Sequence, residues 1–553
     1  MAPFDDKKNI ILLWDIILAS VICFPVFLFP TQKILGSENV DVWNHMWGAW
    51  WWKEQFMSGE MPYDTELLMW PKGGVLWFID PVLAFFTWPL TFLSPVLGYN
   101  LGVIAMVAFA SFATRFFARS IGCSQKGEMI ASIGVCCSAW LIGEIHNGIS
   151  ESVNIGFGAL ALALVERASQ NRQTTKIHQN PWLWAGISVG GCFWVSPYLG
   201  LAISIASFFR SISLIKKAWF GGIVAIFIAL PSILTLRGQL LDDRAIIKKP
   251  DTMNETLALH NAVDPQIFFR PFGFQSQDLS AEGFYHSMYF GLVVLVLAFP
   301  IFQIRRKWFV GAILCVIFSL GPYLYIDGGW YVVSSSRLRL PWWFVQQAGL
   351  AITHPLRLAV PSLIIFSAFA GLQASTLQLR KYTIPLCLLV AIDGLLISGA
   401  PWPLATADAT IPAVYQLVKE DQRDVGVLDL PTDSGSTMKA SKYLYYQTYH
   451  NKPIPYAPDV RASTSSLLRN NAFKNIAKIC RRRSDEQKAL GFGGPQRGSQ
   501  SLITLRDAKI GWIVLHKDID PSVFAKLKST IEKELGEGIA ASESIIWKLD
   551  SQN

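Results

Sequence analysis

Two carboxylates three residues apart, Glu38 and Asp41, stand directly after the first long hydrophobic stretch. On a helical turn that spacing puts both on one face. A carboxylate held at a membrane mouth is suited to take the proton from an attacking hydroxyl, so Asp41 is the leading candidate for a general base, with Glu38 beside it. His45, one helical turn further on, could orient Asp41 or help to bind. The same spacing also fits two acids that merely end a helix in water. A second constellation is His146-Asn147-Gly148-Ile149-Ser150-Glu151, a tight turn between hydrophobic segments. Ser150 alone would suffice to cap the helix that follows. Glu144, His146 and Glu151 exceed that need, and Glu151 becomes a further catalytic candidate, with His146 as a binding residue. A third group is Arg337, Arg339, His354 and Arg357. A planar guanidinium can clamp a phosphate through two parallel hydrogen bonds, although arginines at this depth also meet lipid headgroups. Arg357 enters a hydrophobic span two residues after Pro355. Arg244, Lys248 and Lys249 read as a solvated face.

These residues must be positioned by membrane helices. Of the 553 residues, 52% are hydrophobic and only 16% charged, well under the quarter or so usual for soluble domains. The excess of basic residues, net +8, falls mostly in short loops; it sets orientation and does not indicate nucleic-acid binding. Residues 9–30, behind Lys7 and Lys8, read as a retained signal anchor with the N-terminus in the cytoplasm. Further spans are expected at 98–118, 127–145, 150–167, 182–195, 197–210, 218–236, 287–304, 308–326, 357–377 and 383–400. Residues 82–95 are apolar but short and broken by Pro89, so they should re-enter or lie flat. Basic clusters at every second connection then give about eleven crossings and a C-terminus outside. The eight cysteines show no disulfide framework or metal spacing.

Three long connections, 36–81, 237–286 and 327–354, share the outer side. In the first, Trp43, Trp47, Trp50, Trp51 and Trp52 fall within ten residues. Trp is favoured at headgroup depth, so this helix should lie in the membrane interface, with Trp43 and Trp47 as candidate binding residues. From residue 405 the composition becomes that of a soluble domain, 405–553, placed outside the membrane. DVGVLDLP, GWIVLHK and SIIWKLD read as strands, SKYLYYQTYH and SVFAKLKSTIEKELG as helices, which makes a small α/β domain. The Gly-rich, basic run 480–501 reads as a mobile loop.

The whole pattern, DVWNHMWGAWW with YDTELLMWPKGG, HNGISES, HNAVDPQIFFRPFG through YHSMYFG, SSSRLRLP with THPLRL, and VLDLP with YYQTYHNKPI and Arg461, resembles the GT-C superfamily of membrane glycosyltransferases. The acidic signature is Glu-x-x-Asp, whereas some relatives carry Asp-x-Asp; the metal requirement therefore stays open, with a divalent ion as one option. The resemblance implies a polytopic α-helical membrane protein with residues 1–404 as its GT-C-like part. It implies transfer of a sugar from a polyprenyl-phosphate donor to a glycan, lipid or protein acceptor outside the cytoplasmic membrane. Asp41 would act as base, Glu38 or Glu151 would support it, and Arg357 with Arg337 or Arg339 would stabilise the leaving phosphate. Two rivals are a transporter-like component, which would need charges near the midplane and repeated broken helices, and a non-catalytic scaffold of an envelope glycan system.

Overall fold

The computed structural model describes residues 6–38, 40–77, 81–170, 180–246, 261–271, 284–347, 353–376, 378–432, 439–458, 467, 470–480 and 501–549. Arg172, Lys176, Lys248, Lys249, Arg461 and nearly all of the 480–501 loop lie outside the described residues. Two compact units divide the chain. The first holds Met1–Ser37, Ile79–Leu236 and Lys249–Ala407; the second gathers Glu38–Phe78, Arg237–Lys248 and Asp408–Asn553.

The first unit is a bundle of apolar helices. Among the described residues, Pro95–Ser120, Pro197–Leu241 and Pro355–Ala374 are long and apolar enough to cross a membrane alone. That is fewer than hydropathy alone suggests: the spans expected at 197–210 and 218–236 lie in one continuous 45-residue helical run, and other helices are broken. The stretch expected as one span at 127–145 is instead two helices, Gln125–Cys136 and Ala139–Asn147, bent by 43°. Cys137 ends one and Ser138 caps the next, its hydroxyl accepting from the Leu141 N–H; such a break is invisible to a hydropathy window. The span expected at 287–304 begins only at Leu292, where the Asp393 carboxylate accepts from the Val293 N–H at 2.9 Å and from Tyr289 at 2.8 Å. Helix Pro81–Thr91 is only 11 residues long, about 16 Å, and too short to cross by itself. Gly190 lets Pro181–Val195 lie directly on Ile215–Leu241: a Cβ there would stand 2.6 Å from the Ala225 carbonyl.

Two buried carboxylates inside this bundle, Asp15 and Glu166, are paired with arginine, as burial in a low-dielectric medium favours. Asp15 accepts from Ser111 and from Arg115. Glu166 accepts from Arg210 at 2.5 Å and from the Trp308 indole at 2.9 Å, with Arg305 at 3.7 Å. Two arginines that the sequence offers as loop charges are therefore partly spent on a buried carboxylate.

The second unit is built on a four-stranded sheet. Its strands are β1 (Gly426–Leu430), β2 (Ile510–His516), β3 (Ile539–Ala540) and β4 (Ser544–Lys548), in the order β3-β4-β2-β1. β1 and β2 are parallel, with Leu428 opposite Ile513, and β4 runs antiparallel to β2. Both β1 and β2 are buried along their whole length, as near-continuous apolar strands of a parallel pair should be. Helices Lys439–His450 and Pro521–Leu535 form where the apolar periodicity predicts them.

The tryptophan helix, Val42–Ser58, belongs to this unit. Its five indoles are 0–4% exposed, which overturns the expectation of an interfacial stripe. Trp43 stacks on Tyr445 with ring centres 5.1 Å apart, and Trp47 stacks on Trp51 at 5.6 Å. The Trp47 N–H donates to Gln447 Oε1 at 2.8 Å, while Gln447 Nε2 donates to the Leu67 and Lys452 carbonyls at 2.7 and 3.0 Å. Gln447 is fully buried, so Gln447→Leu strands an indole N–H and two carbonyls. Its cost should be about 2–4 kcal/mol, measured by urea unfolding of the purified protein; a cost within about 0.5 kcal/mol would mean that water replaces the amide.

His450 supplies a pH dependence. Its ring lies over Tyr415 at 5.3 Å, and its Nδ1 accepts from the Lys452 N–H at 3.0 Å. Burial, then the charge of Lys452, pushes its pKa down from 6.5 to about 3. Between those values the unfolded chain binds the extra proton, so the contribution is complete above pH 6.5 and shrinks as the pH falls toward 3. Wild type should lose unfolding midpoint below pH 6.5 more steeply than His450→Phe, which keeps a ring on Tyr415. Parallel pH profiles for the two proteins would count against this.

Candidate active site

In the first unit, the candidates converge on the mouth of Pro355–Ala374. Pro355 fits the first turn of a helix, because its missing N–H would lack an intrahelical partner there in any case, and Pro355–Ala359 opens the span as a tight 3-10 turn. That turn carries Arg357. Its guanidinium donates to Glu151 Oε1 at 2.8 Å and lies 5.2 Å over the Tyr198 ring. The Arg357 and Glu151 side chains are 12% and 10% exposed, close to buried, yet open enough to reach a ligand. Glu151 sits on the one-turn helix Ser150–Val153. Gly148 caps the preceding helix at φ +71°, the left-handed conformation glycine adopts most readily. The geometry therefore brings together two residues that sequence reading names separately.

Around this pair runs a polar chain. The Tyr198 hydroxyl is 3.1 Å from Thr353 Oγ1, which is 2.9 Å from His354 Nδ1. Asn261 donates to the Thr353 carbonyl at 2.7 Å. Glu144 adds a second acid, 1% exposed, with Oε1 3.5 Å from His286 Nδ1. Asn147 holds that neighbourhood in register by accepting from the Tyr285 N–H and donating to the Tyr285 carbonyl, both at 2.8 Å. The His146 carbonyl accepts from the Ser37 N–H at 2.8 Å, so His146 contributes backbone to the same turn.

Arg337 and Arg339 are placed differently. They lie on three short paired segments, 323–326, 329–333 and 336–339. Arg337 stacks 4.9 Å over Trp330 and Arg339 stacks 4.2 Å over Trp343. Both arginines are exposed, whereas the Arg357 side chain is only 12% exposed.

In the second unit, the expected helical turn with both acids on one face does not form. The helix starts at Val42, with Asp41 as its N-cap residue. Asp41 Oδ1 accepts from Asn44 Nδ2 at 2.9 Å, while Glu38 pairs with Lys442 at 2.7 Å. The Glu38 carbonyl accepts from the Trp43 indole at 3.3 Å. His45 is 7% exposed, on the same helix. Asp41 is half-buried and Glu38 about half-exposed. Among the described residues no three His, Cys, Asp or Glu side chains gather as a metal-ligand set.

Sequence reading missed Tyr198 and His286. The signal for Tyr198 was the Ser196-Pro197 break that ends one helix and starts the next; for His286 it was position within a segment read as loop and span.

No family model matches the sequence, and no curated protein sequence matches it. Solved structures do match. ArnT from Cupriavidus metallidurans bound to undecaprenyl phosphate aligns over 99% of both chains with a TM-score of 0.53 at 10% identity. The fold is shared with this glycosyltransferase structure. The mycobacterial arabinofuranosyltransferase AftD aligns over 98% of this chain at 13% identity, with a TM-score of 0.52. This chain spans 40% of AftD's length. The Archaeoglobus fulgidus oligosaccharyltransferase in its apo form covers 94% of this chain, 70% of its own length being matched, at 10% identity and a TM-score of 0.50.

Proposed function

We propose that this protein transfers a hexosyl or pentosyl group from a polyprenyl-phosphate donor to a glycan, lipid or protein acceptor on the outer face of the cytoplasmic membrane. The observation that carries this reading is the near-buried Arg357–Glu151 pair at the head of a membrane span, within a fold shared by glycosyltransferases. The isoprenoid tail enters from the bilayer, and its phosphate takes the free edge of the Arg357 guanidinium. Such a preorganised charge, held by Glu151 and Tyr198, stabilises the phosphate as the sugar leaves it. Asp41 accepts the proton of the acceptor hydroxyl while that oxygen bonds to the anomeric carbon and the carbon–oxygen bond to the phosphate breaks. Asn44 orients Asp41, and Glu38 and His45 support it; Trp43 and Trp47 fix the helix that carries these groups. Tyr198, Thr353 and His354 line the phosphate side. Arg337 and Arg339 meet lipid headgroups at the surface, where exposed arginines stacked on Trp are favoured. The N-terminus lies in the cytoplasm and the second unit outside.

Transfer of radiolabelled sugar by the purified protein, from a panel of polyprenyl-phosphate monosaccharides to membrane-extracted acceptors, tests this. Turnover with at least one donor is the expected result. Silence across the panel with a folded protein would favour the scaffold.

A further inference from the structure

The Arg357–Glu151 pair accounts for a phosphate, but nothing in it reads the sugar. Glu144 stands beside it with a different chemistry. It lies on Ala139–Asn147, the second half of the bent helix, and is 1% exposed. Its Oε1 reaches His286 at 3.5 Å, a long contact, and its Oε2 is buried with no hydrogen-bond partner among the described residues. A buried carboxylate oxygen in that state is costly, by an amount of order 1–3 kcal/mol or more, and invites a donor. Its setting is rigid. A Cβ at Gly143 would stand 2.6 Å from the Tyr285 ring, so only glycine lets the two segments approach, and Asn147 locks the Tyr285 backbone from the other side. Glu144 is close enough to Arg357 to bear on its charge. The oxygen that Arg357 and His286 leave unbonded suits a neutral O–H donor: a phosphate would be repelled by it and drawn to Arg357.

We propose that Glu144 Oε2 accepts a hydrogen bond from a hydroxyl of the donor's sugar, with His286 holding the carboxylate, so that Arg357 reads the phosphate and Glu144 reads the sugar. This rests on the glycosyl-transfer reading above and makes Glu144 a specificity-determining residue of the donor subsite.

The test is binding of bare undecaprenyl phosphate, and of its monosaccharide esters with hexopyranoses and pentofuranoses, to the full chain in nanodiscs by native mass spectrometry. Wild type should prefer at least one glycosylated lipid over the bare one. Glu144→Gln should bind the bare lipid as wild type does and lose that preference, by about tenfold for a hydrogen bond to a charged group. Glu144→Asp keeps the charge but withdraws it by one carbon; it should lose part of the preference, and it decides the matter if the Gln variant fails to fold. Preference retained in full by the folded variants overturns the assignment alone. An equal loss for bare and glycosylated lipids also overturns it, since Glu144 would then act only through Arg357. If wild type prefers no glycosylated lipid, the glycosyl-transfer reading falls and takes this assignment with it.

Discussion

Asp41→Asn should lower sugar transfer by about 10²- to 10⁴-fold, the range that a positioned general base supplies, while leaving the protein folded. The structure explains why these two effects separate. Asp41 is the N-cap residue of Val42–Ser58, but its side chain makes no capping bond to the helix backbone. Its described partner is Asn44, whose amide donates to Oδ1 at 2.9 Å, and an asparagine carbonyl can accept that bond equally well. What asparagine cannot do is take a proton at neutral pH. Donor binding should therefore persist, and the loss should fall on kcat with KM for the lipid donor little changed. Glu38→Gln tests the alternative base. Glu38 is about half-exposed and paired with Lys442, a surface arrangement that contributes at most about 1 kcal/mol, so this variant should retain most turnover. If Glu38→Gln were silent and Asp41→Asn active, the roles would be reversed. Equal turnover by wild type and both variants would remove the base from this loop.

Much of the fold was legible, because membrane helices declare themselves by composition and parallel strands by short apolar runs between turn residues. The strands at Gly426–Leu430, Ile510–His516 and Ser544–Lys548 needed only that signal. The tryptophan helix shows where the signal stops. Five indoles in ten residues carry the same local pattern whether they face lipid or a protein core. The deciding partner, Gln447, is 400 residues away in sequence. The site shows the same limit. Glu151 and Arg357 each stood out as ionisable groups at the edge of a span, yet a sequence separation of 206 hides that they form one pair. His286 could not be joined to Glu144 while a helix was expected to begin at 287, because the extended stretch that presents it is stabilised by Asn147 rather than by anything in its own sequence.

Arg357 carries the other large prediction, because replacing it should cost both stability and donor binding, and the two losses can be separated. Arg357→Met takes the guanidinium away from a Glu151 carboxylate that is close to buried, and removes a positive charge that acts on Glu144. Breaking a buried pair by removing one partner costs about 3–5 kcal/mol, whereas replacing both partners by apolar groups of similar volume is often neutral. Arg357→Met with Glu151→Met should therefore recover most of the stability that the single substitution loses. It should not recover binding of undecaprenyl phosphate, because the guanidinium proposed to hold the phosphate is gone. Arg357→Lys keeps the charge but gives up the planar fork and the stacking over Tyr198, so it should bind the lipid phosphate more weakly than wild type and more tightly than either methionine variant. Thermal unfolding and lipid binding, measured on the same preparations, give the two axes. A double variant that regained both stability and lipid affinity would make Arg357 a packing residue, and the phosphate would then have to be held elsewhere on this face.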